Sequence, residues 1–360
     1  MSDTTITVDR PVLLRRSTPE ALRLVAAGRR SRRARSVAVG AALAIVGAVL
    51  FCASLSVGDF PIPLVDVVPA VFGFGNGDSD FIIRTLRLPR ALTAVLVGAA
   101  FGLSGAIFQT LARNPLASPD IIGITAGASA AAVFAIVILG AASGAVALSA
   151  LAGALLTAVA IYLLAWKRGV SSYRLVLVGI GAAAVLFSIT QYILTRAEIF
   201  EAQRAVVWLT GSLNGRGWEH VRPVALAVGL LTPAALVLAR PLGALQLGDD
   251  TAKGIGAPVE RSRLALVLVG VALAAVATAS AGPVAFVAFV AAPIARRLTR
   301  SSPALLPAAL AGAVLMLASD LVGRRMFAPT ELPVGIITGI IGGPYLLWLL
   351  ARANRIGKGG

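Results

Sequence analysis

Side chains able to do covalent chemistry are scarce in this chain and poorly placed for it. His220 is the only histidine among 360 residues and Cys52 the only cysteine, which excludes an intramolecular disulfide and a cysteine metal site. His220 follows Glu219 at a predicted membrane edge, a setting that suits a surface residue better than a metal ligand. Cys52 falls inside an apolar run and suits packing. No G-x-x-x-x-G-K-[ST] phosphate loop occurs: Gly357-Lys358 is followed by Gly359, in a tail with no strand before it. No nucleophile–base pair stands out. The chain is therefore expected to hold no catalytic residue, no metal and no cofactor.

What remains is recognition chemistry. Arg87, Arg90 and Arg324 stand near the ends of apolar runs. There a guanidinium can pair bidentately with a partner's carboxylate or anchor the span end in headgroups. The stretch Leu247–Pro258 places Gly248 and Gly256 around a short helical segment, with Pro258 to stop continuation. Such a segment suits a docking element for a soluble partner, or an ordinary connection. Ser171-Ser172 precede Tyr173-Arg174, a pattern that reads as a helix N-cap followed by a basic anchor.

The elements that must position these residues are membrane helices. Hydrophobic residues make up 58%, charged residues 13%, and mean hydropathy is +0.89. A soluble fold could not hide that much apolar surface. Ser36–Ser56 and Leu175–Thr195 each run 21 residues without a charge, and about 20 apolar residues span a hydrocarbon core as a helix. Backbone in lipid must satisfy its own hydrogen bonds, so the runs are expected to be helices. Ten spans are expected, near 36–57, 91–111, 121–140, 145–165, 175–195, 221–239, 263–281, 284–298, 304–322 and 333–351. The eighth is short, with Pro283 at its start and Pro293 within it, so a kink or re-entrant course is expected there. Gly98/Gly102, Gly123/Gly127 and Gly335/Gly339 have the spacing that lets two helices approach closely.

Charge sets the orientation. The net charge of +16 invites a nucleic-acid reading, yet its distribution follows the spans. With the N-terminus inside, cytoplasmic segments hold 23 of the 32 Lys/Arg residues, the bias expected of a multi-pass protein with both termini in the cytoplasm. Residues 1–35 form a basic arm with nine arginines, read as an anchor beside anionic lipid. Residues 36–351 form the membrane domain and 352–360 a cytoplasmic tail. The middles of the spans hold almost no ionisable residues. This weakens a proton- or sodium-coupled carrier, which usually needs buried carboxylates, although sodium can bind carbonyls and hydroxyls alone. A membrane scaffold without transport is a third class.

Within the inside loop 240–263, Gly248, Asp249, Ala252, Ile255, Gly256 and Pro258 fit the pattern G-[DE]-x-x-A-x-x-[IL]-G-x-P. Further pieces follow in order: Arg87-Leu88-Pro89-Arg90, Gly105-Ala106, Gln109, Arg113-Asn114-Pro115-Leu116-Ala117-Ser118-Pro119, Asp320, Glu331-Leu332-Pro333-Val334-Gly335 and Gly342-Gly343-Pro344. Together they resemble the FecCD-type permeases, which include vitamin B12 and ferric-siderophore import subunits. The resemblance implies an all-α fold like that of the vitamin B12 permease, in the cytoplasmic (inner) membrane. It implies pairing with a second permease subunit, two cytoplasmic ATP-binding subunits that carry ATP and magnesium, and an extracytoplasmic siderophore-binding protein. Arg87, Arg90 and Arg324 match docking arginines for that binding protein. Gly248, Asp249, Ala252, Gly256 and Pro258 match the element that couples to the ATPases. Ser171 and Ser172 match a cytoplasmic gate. Trp208–Trp218 resembles the branch that handles ferric catecholates, with cobalamin and haem as alternative cargoes. One departure stands out: the eighth span usually carries Pro, then His or Gln, then Arg three residues on, whereas here Ala292 and Pro293 precede Arg296. A polar group is lost, and the proline moves by one residue.

Overall fold

The computed structural model describes residues 19–75, 77–167, 172–327 and 329–356. The described residues form a helical bundle. In chain order the helices are α1 (Pro19–Ser56), α2 (Leu64–Phe72), α3 (Gly77–Phe81), α4 (Leu88–Leu111), α5 (Ile124–Val137), α6 (Ser143–Leu164), α7 (Ser172–Arg196) and α8 (Ile199–Leu209). Then come α9 (Trp218–Val237), α10 (Ala239–Leu245), α11 (Asp249–Gly254), α12 (Val259–Ala281), α13 (Val287–Thr299), α14 (Leu305–Arg325) and α15 (Val334–Ile356). Each of the ten expected spans carries a helix. Seven are long and apolar enough to cross a membrane by themselves. The other three are α5, α13 and α15; α5 has only 14 residues and α13 only 13, about 20 Å of helix against a core of about 30 Å. Buried non-helical backbone continues both: residues 117–119 and Ile122 before α5, and Gly282 and Val284 before α13. Irregular backbone is tolerated at membrane depth only when protein covers it.

The first and last spans run beyond their expected bounds. Residues 19–35, expected as an arm, continue the first span as one 38-residue helix. They contain no glycine or proline between Gly28 and Ser36 to stop it. At the other end α15 continues past 351 to Ile356.

Helix α4 is the spine. It packs on α14, α12 and α13, with α9 alongside, and most of its residues are buried. Small residues allow this: a Cβ on Gly98 would collide with the Gly312 carbonyl, one on Gly102 with the Ala308 carbonyl, and one on Gly105 with the Ala288 carbonyl. The expected pair Gly335/Gly339 is only half used, since Gly335 sits against Thr210 whereas Gly339 faces open space within this chain. Helices α5, α6 and α7 form a second group joined to the spine through α12; α1 leans on α14. The turn Ile82–Arg87 that leads into α4 is a π-helix, with the Leu88 N–H reaching Ile83 O. Pro89 has no N–H and crowds the carbonyl four residues back, so the turn widens there.

Candidate functional site: polar clusters at the two ends of the bundle

At one end Asp320 of α14 is only 2% exposed and holds two arginines. Arg90 of α4 reaches it with Nε at 3.1 Å and Nη2 at 3.0 Å, while Nη1 meets Glu331 at 3.0 Å. Arg324, one turn beyond Asp320 on the same helix, approaches it at 3.2 Å, the i,i+4 spacing that faces two side chains together. Arg324 also donates to the Ser54 carbonyl at 3.4 Å. Arg87 is 9% exposed. It donates to the carbonyls of Leu55 (2.7 Å), Ser56 (3.0 Å) and Phe60 (2.5 Å), so it closes the C-terminal end of α1, where carbonyls have no partner in their own helix. The structure therefore brings Arg87, Arg90 and Arg324 to one end but turns all three inward. Exposed arginines at this end include Arg84, Arg196, Arg204, Arg222 and Arg325.

Next to this cluster the backbones of three segments meet. Ser212 N–H donates to Ala281 O at 2.8 Å and Gly335 N–H to Gly211 O at 3.1 Å. Gly211 has φ +68° and lies against Pro283 O, a conformation and a closeness that a side chain would not allow. The following loop carries Arg216, which shares a hydrogen bond with His220 Nε2 at 2.9 Å; Glu219 meets the other ring nitrogen at 3.1 Å. Burial draws the Arg216 guanidinium below its ordinary value, and Glu219 opposes the shift.

The opposite end is organised by Asp249, at the start of α11. It accepts from Arg263 at 2.7 Å and from Arg113 at 3.1 Å. Arg113 also donates to Leu245 O of α10 at 3.2 Å, and Arg263 to Glu260 at 3.3 Å. One carboxylate thus ties the 240–263 segment to the inner ends of α4 and α12. Gly248 enters α11 at φ +108°, and Gly256 leaves it at φ +80°. The exit is closed by Ala257 N–H on Ala252 O at 2.9 Å and Gly256 N–H on Lys253 O at 2.9 Å, bonds that take up carbonyls otherwise unpaired at a helix end. Ala252 is wholly buried, and Pro258 precedes α12. Leu247 and Ile255, each 63% exposed, project from the element. A Cβ on Gly254 would meet nothing within 4 Å, so packing does not explain the glycine. Of the gate residues, Ser172 opens α7 and Ser171 lies outside the described residues.

The departure at Ala292/Pro293 has a compensation on another helix. Pro293 cannot donate to Phe289 O, its partner four residues back. Gln109 of α4 supplies the missing donor: its Nε2 reaches Phe289 O at 3.0 Å, and its Oε1 accepts from Arg296 Nη2. Gln109 is 2% exposed. The polar group absent from α13 is thus provided by α4. Among the described residues no group of three or more His, Cys, Asp or Glu side chains is placed to hold a metal ion.

Comparison with known proteins agrees with this geometry. The FecCD transport family matches residues 46–352. Among curated proteins, the ferric enterobactin transport system permease FepG of Escherichia coli K12 is 43% identical over 290 residues, covering 80% of this chain and 88% of that protein. The achromobactin transport system permease CbrC of Dickeya dadantii is 43% identical over 335 residues, covering 91% and 96%. Among solved structures, a metal-chelate type ABC transporter in an inward-facing conformation superposes with a TM-score of 0.78 at 27% identity, covering 87% of this chain and 99% of that one. The chain is a multi-pass inner-membrane permease that belongs to the FecCD transport family.

Proposed function

We propose that this chain is one of two permease subunits of an ATP-driven importer that carries a ferric siderophore, a catecholate of the enterobactin type, across the cytoplasmic membrane. The observation that carries the reading is the extent of the likeness to permeases named for ferric chelates. It covers 91% of this chain for the achromobactin permease and 80% for FepG. FepD, the other ferric enterobactin permease of Escherichia coli K12, is 36% identical over 333 residues. Likeness to two distinct permeases named for one chelate supports pairing with a related second subunit.

The two polar ends give the proposal a mechanism. The exposed Leu247 and Ile255 offer apolar contact to a cytoplasmic ATP-binding subunit, and Asp249 relays its movement to α4 and α12 through Arg113 and Arg263. ATP and magnesium act on that partner. A ligand shifts an equilibrium only by binding two states differently, so ATP would favour one arrangement of the ATPases and, through α11, one tilt of the spans. At the other end Arg87, Arg90 and Arg324 fix the shape of the face on which a siderophore-binding protein would dock. Arg84, Arg222 and Arg325 give that face exposed positive charge, which speeds encounter with an acidic partner. Ser171 and Ser172, before and at the start of α7, are proposed to line a cytoplasmic gate.

The test is uptake of radiolabelled iron, supplied as a ferric catecholate, in cells lacking the gene and in cells complemented with it. Cobalamin and haem uptake run beside it. Loss and rescue of the iron signal alone supports the proposal. Loss of cobalamin or haem uptake with iron uptake intact overturns the cargo and keeps the importer.

A further inference from the structure

Helices α6 and α9 each pack on α12 but share no packed face with one another. The gap between them is a crevice of about 1230 Å3, larger than the usual range of about 300–1,000 Å3 for small-molecule pockets. The last turns of α12 (Val276, Ala279, Ser280) line its floor, and α8 with the 212–216 segment lines its outer end. The lining changes with depth. Toward the middle of the bilayer it is apolar, with Leu148 and Leu151 of α6 beside Val276. At the mouth it is charged, with Arg204, Arg216, Glu219 and His220 together with the Arg90–Glu331 pair. Beyond the lining, α6 and α9 carry exposed apolar side chains, as at Leu155, Leu156, Leu226 and Leu230, surfaces that suit contact with acyl chains on both sides of the crevice.

We propose that this crevice binds one outer-leaflet phospholipid with a phosphoethanolamine headgroup. The phosphate would lie between Arg204 and Arg216, and the ammonium beside Glu219. Charge complementarity selects this occupant. Arg204 is exposed and donates to Ala141 O at 3.3 Å, and Arg216 is bonded to Ser212 O and His220, so each keeps N–H groups for a phosphate in the fork geometry that suits one. Glu219, with its side chain 71% exposed, carries negative charge at the same mouth, where a purely anionic headgroup would be repelled. Below the charges, acyl chain would cover Leu148, Leu151 and Val276, removing apolar wall from a space that otherwise fills with loosely ordered lipid or water. The proposal is independent of which chelate is carried.

The experiment is native mass spectrometry of the purified full chain, with any subunits that co-purify. It is held in mild detergent doped with phosphatidylethanolamine, phosphatidylglycerol or phosphatidylcholine of identical acyl chains. The expected result is one retained phosphatidylethanolamine per permease. Retention should fall about tenfold in Arg204→Ala, the loss of one charged hydrogen bond. A similar fall is expected in Leu151→Trp, which fills the apolar wall. Arg204 and Glu219 lie at the surface, so Arg204→Ala and Glu219→Gln should fold. In Glu219→Gln the preference for phosphatidylethanolamine over phosphatidylglycerol should shrink. Equal retention of all three lipids, preference for phosphatidylglycerol, no retained lipid, or unchanged retention in Arg204→Ala and Leu151→Trp overturns the assignment. Displacement of the lipid by a ferric catecholate overturns it as well.

Discussion

Among the described residues, replacing Asp320 by asparagine removes the one carboxylate that pairs with Arg324 and one of the two that pair with Arg90. The arginines would remain buried with their charge poorly matched. Breaking a buried pair in this way costs about 3–5 kcal/mol, so the Asp320→Asn variant should unfold at a clearly lower temperature than the parent in detergent. Asp59→Asn, at a carboxylate 91% exposed and 3.7 Å from Arg325, is the matched control and should leave the midpoint unchanged. Gln109→Leu is a second test at this scale. It leaves Phe289 O without a donor and removes the acceptor facing Arg296, a loss of about 1–3 kcal/mol for an unsatisfied buried group. A lowered thermal midpoint is expected, and Gln109→Glu should recover less of it than its similar size suggests, because a carboxylate cannot donate to Phe289 O. Equal stability of Gln109→Leu and the parent would mean that the break at Pro293 finds another donor. Motif order brought Gln109, Asp320 and Pro293 to notice in the sequence. Their pairing stayed hidden, because Gln109 and Phe289 lie 180 residues apart and Arg90 and Asp320 lie 230 apart. No local pattern encodes contacts at that separation. The inward turn of Arg87, Arg90 and Arg324 was hidden for the same reason: position at a span end fixes the level of a side chain, not the direction it takes.

Among the elements, α11 is the one that sequence described most fully, since two glycines and a proline bound a helix by purely local rules. Its exposed Leu247 and Ile255 should bind the ATPase subunit, and Ile255→Asp should abolish co-purification of that subunit and siderophore uptake together. The side chain is 63% exposed, so the permease itself should reach the membrane at the parental level. Retained ATPase binding in Leu247→Asp/Ile255→Asp would place the coupling contact elsewhere. The spans were legible because hydropathy alone demands them. Their lengths were less so. Helices α5 and α13 stop short where Gly123 (φ +90°) and Phe286 (φ +67°) take left-handed backbone, and the buried segments before them read as apolar span in the sequence. Helix α1 begins earlier than expected because arginine is a good helix former, whatever its charge implies about lipid.

At the scale of the whole molecule, the paired ends agree with the charge-based orientation. Arg35 of α1 donates to Leu298 O at 2.8 Å, and Arg113 meets Asp249, so these share the end assigned to the cytoplasm. Arg87 with Phe60 and Arg324 with Ser54 share the other. A green fluorescent protein fused after Gly360 should therefore fluoresce, and alkaline phosphatase fused there should be inactive. Active phosphatase would invert the topology and with it the assignment of α11 to the ATPase side.

The contacts of α4 with α14 and α13 bear on how such a permease can change over generations. Gly98, Gly102 and Gly105 meet main-chain carbonyls rather than side chains. A neighbouring side chain can shrink to make room for a larger residue, but a main-chain carbonyl cannot, so no second substitution on the partner helix rescues the first. This spine should accept almost no drift. A lineage adapting to a new iron chelate would have to vary surfaces away from α4, and the exposed residues Asn214, Trp218 and Glu219 and the exposed face of α8 are where it has room to do so.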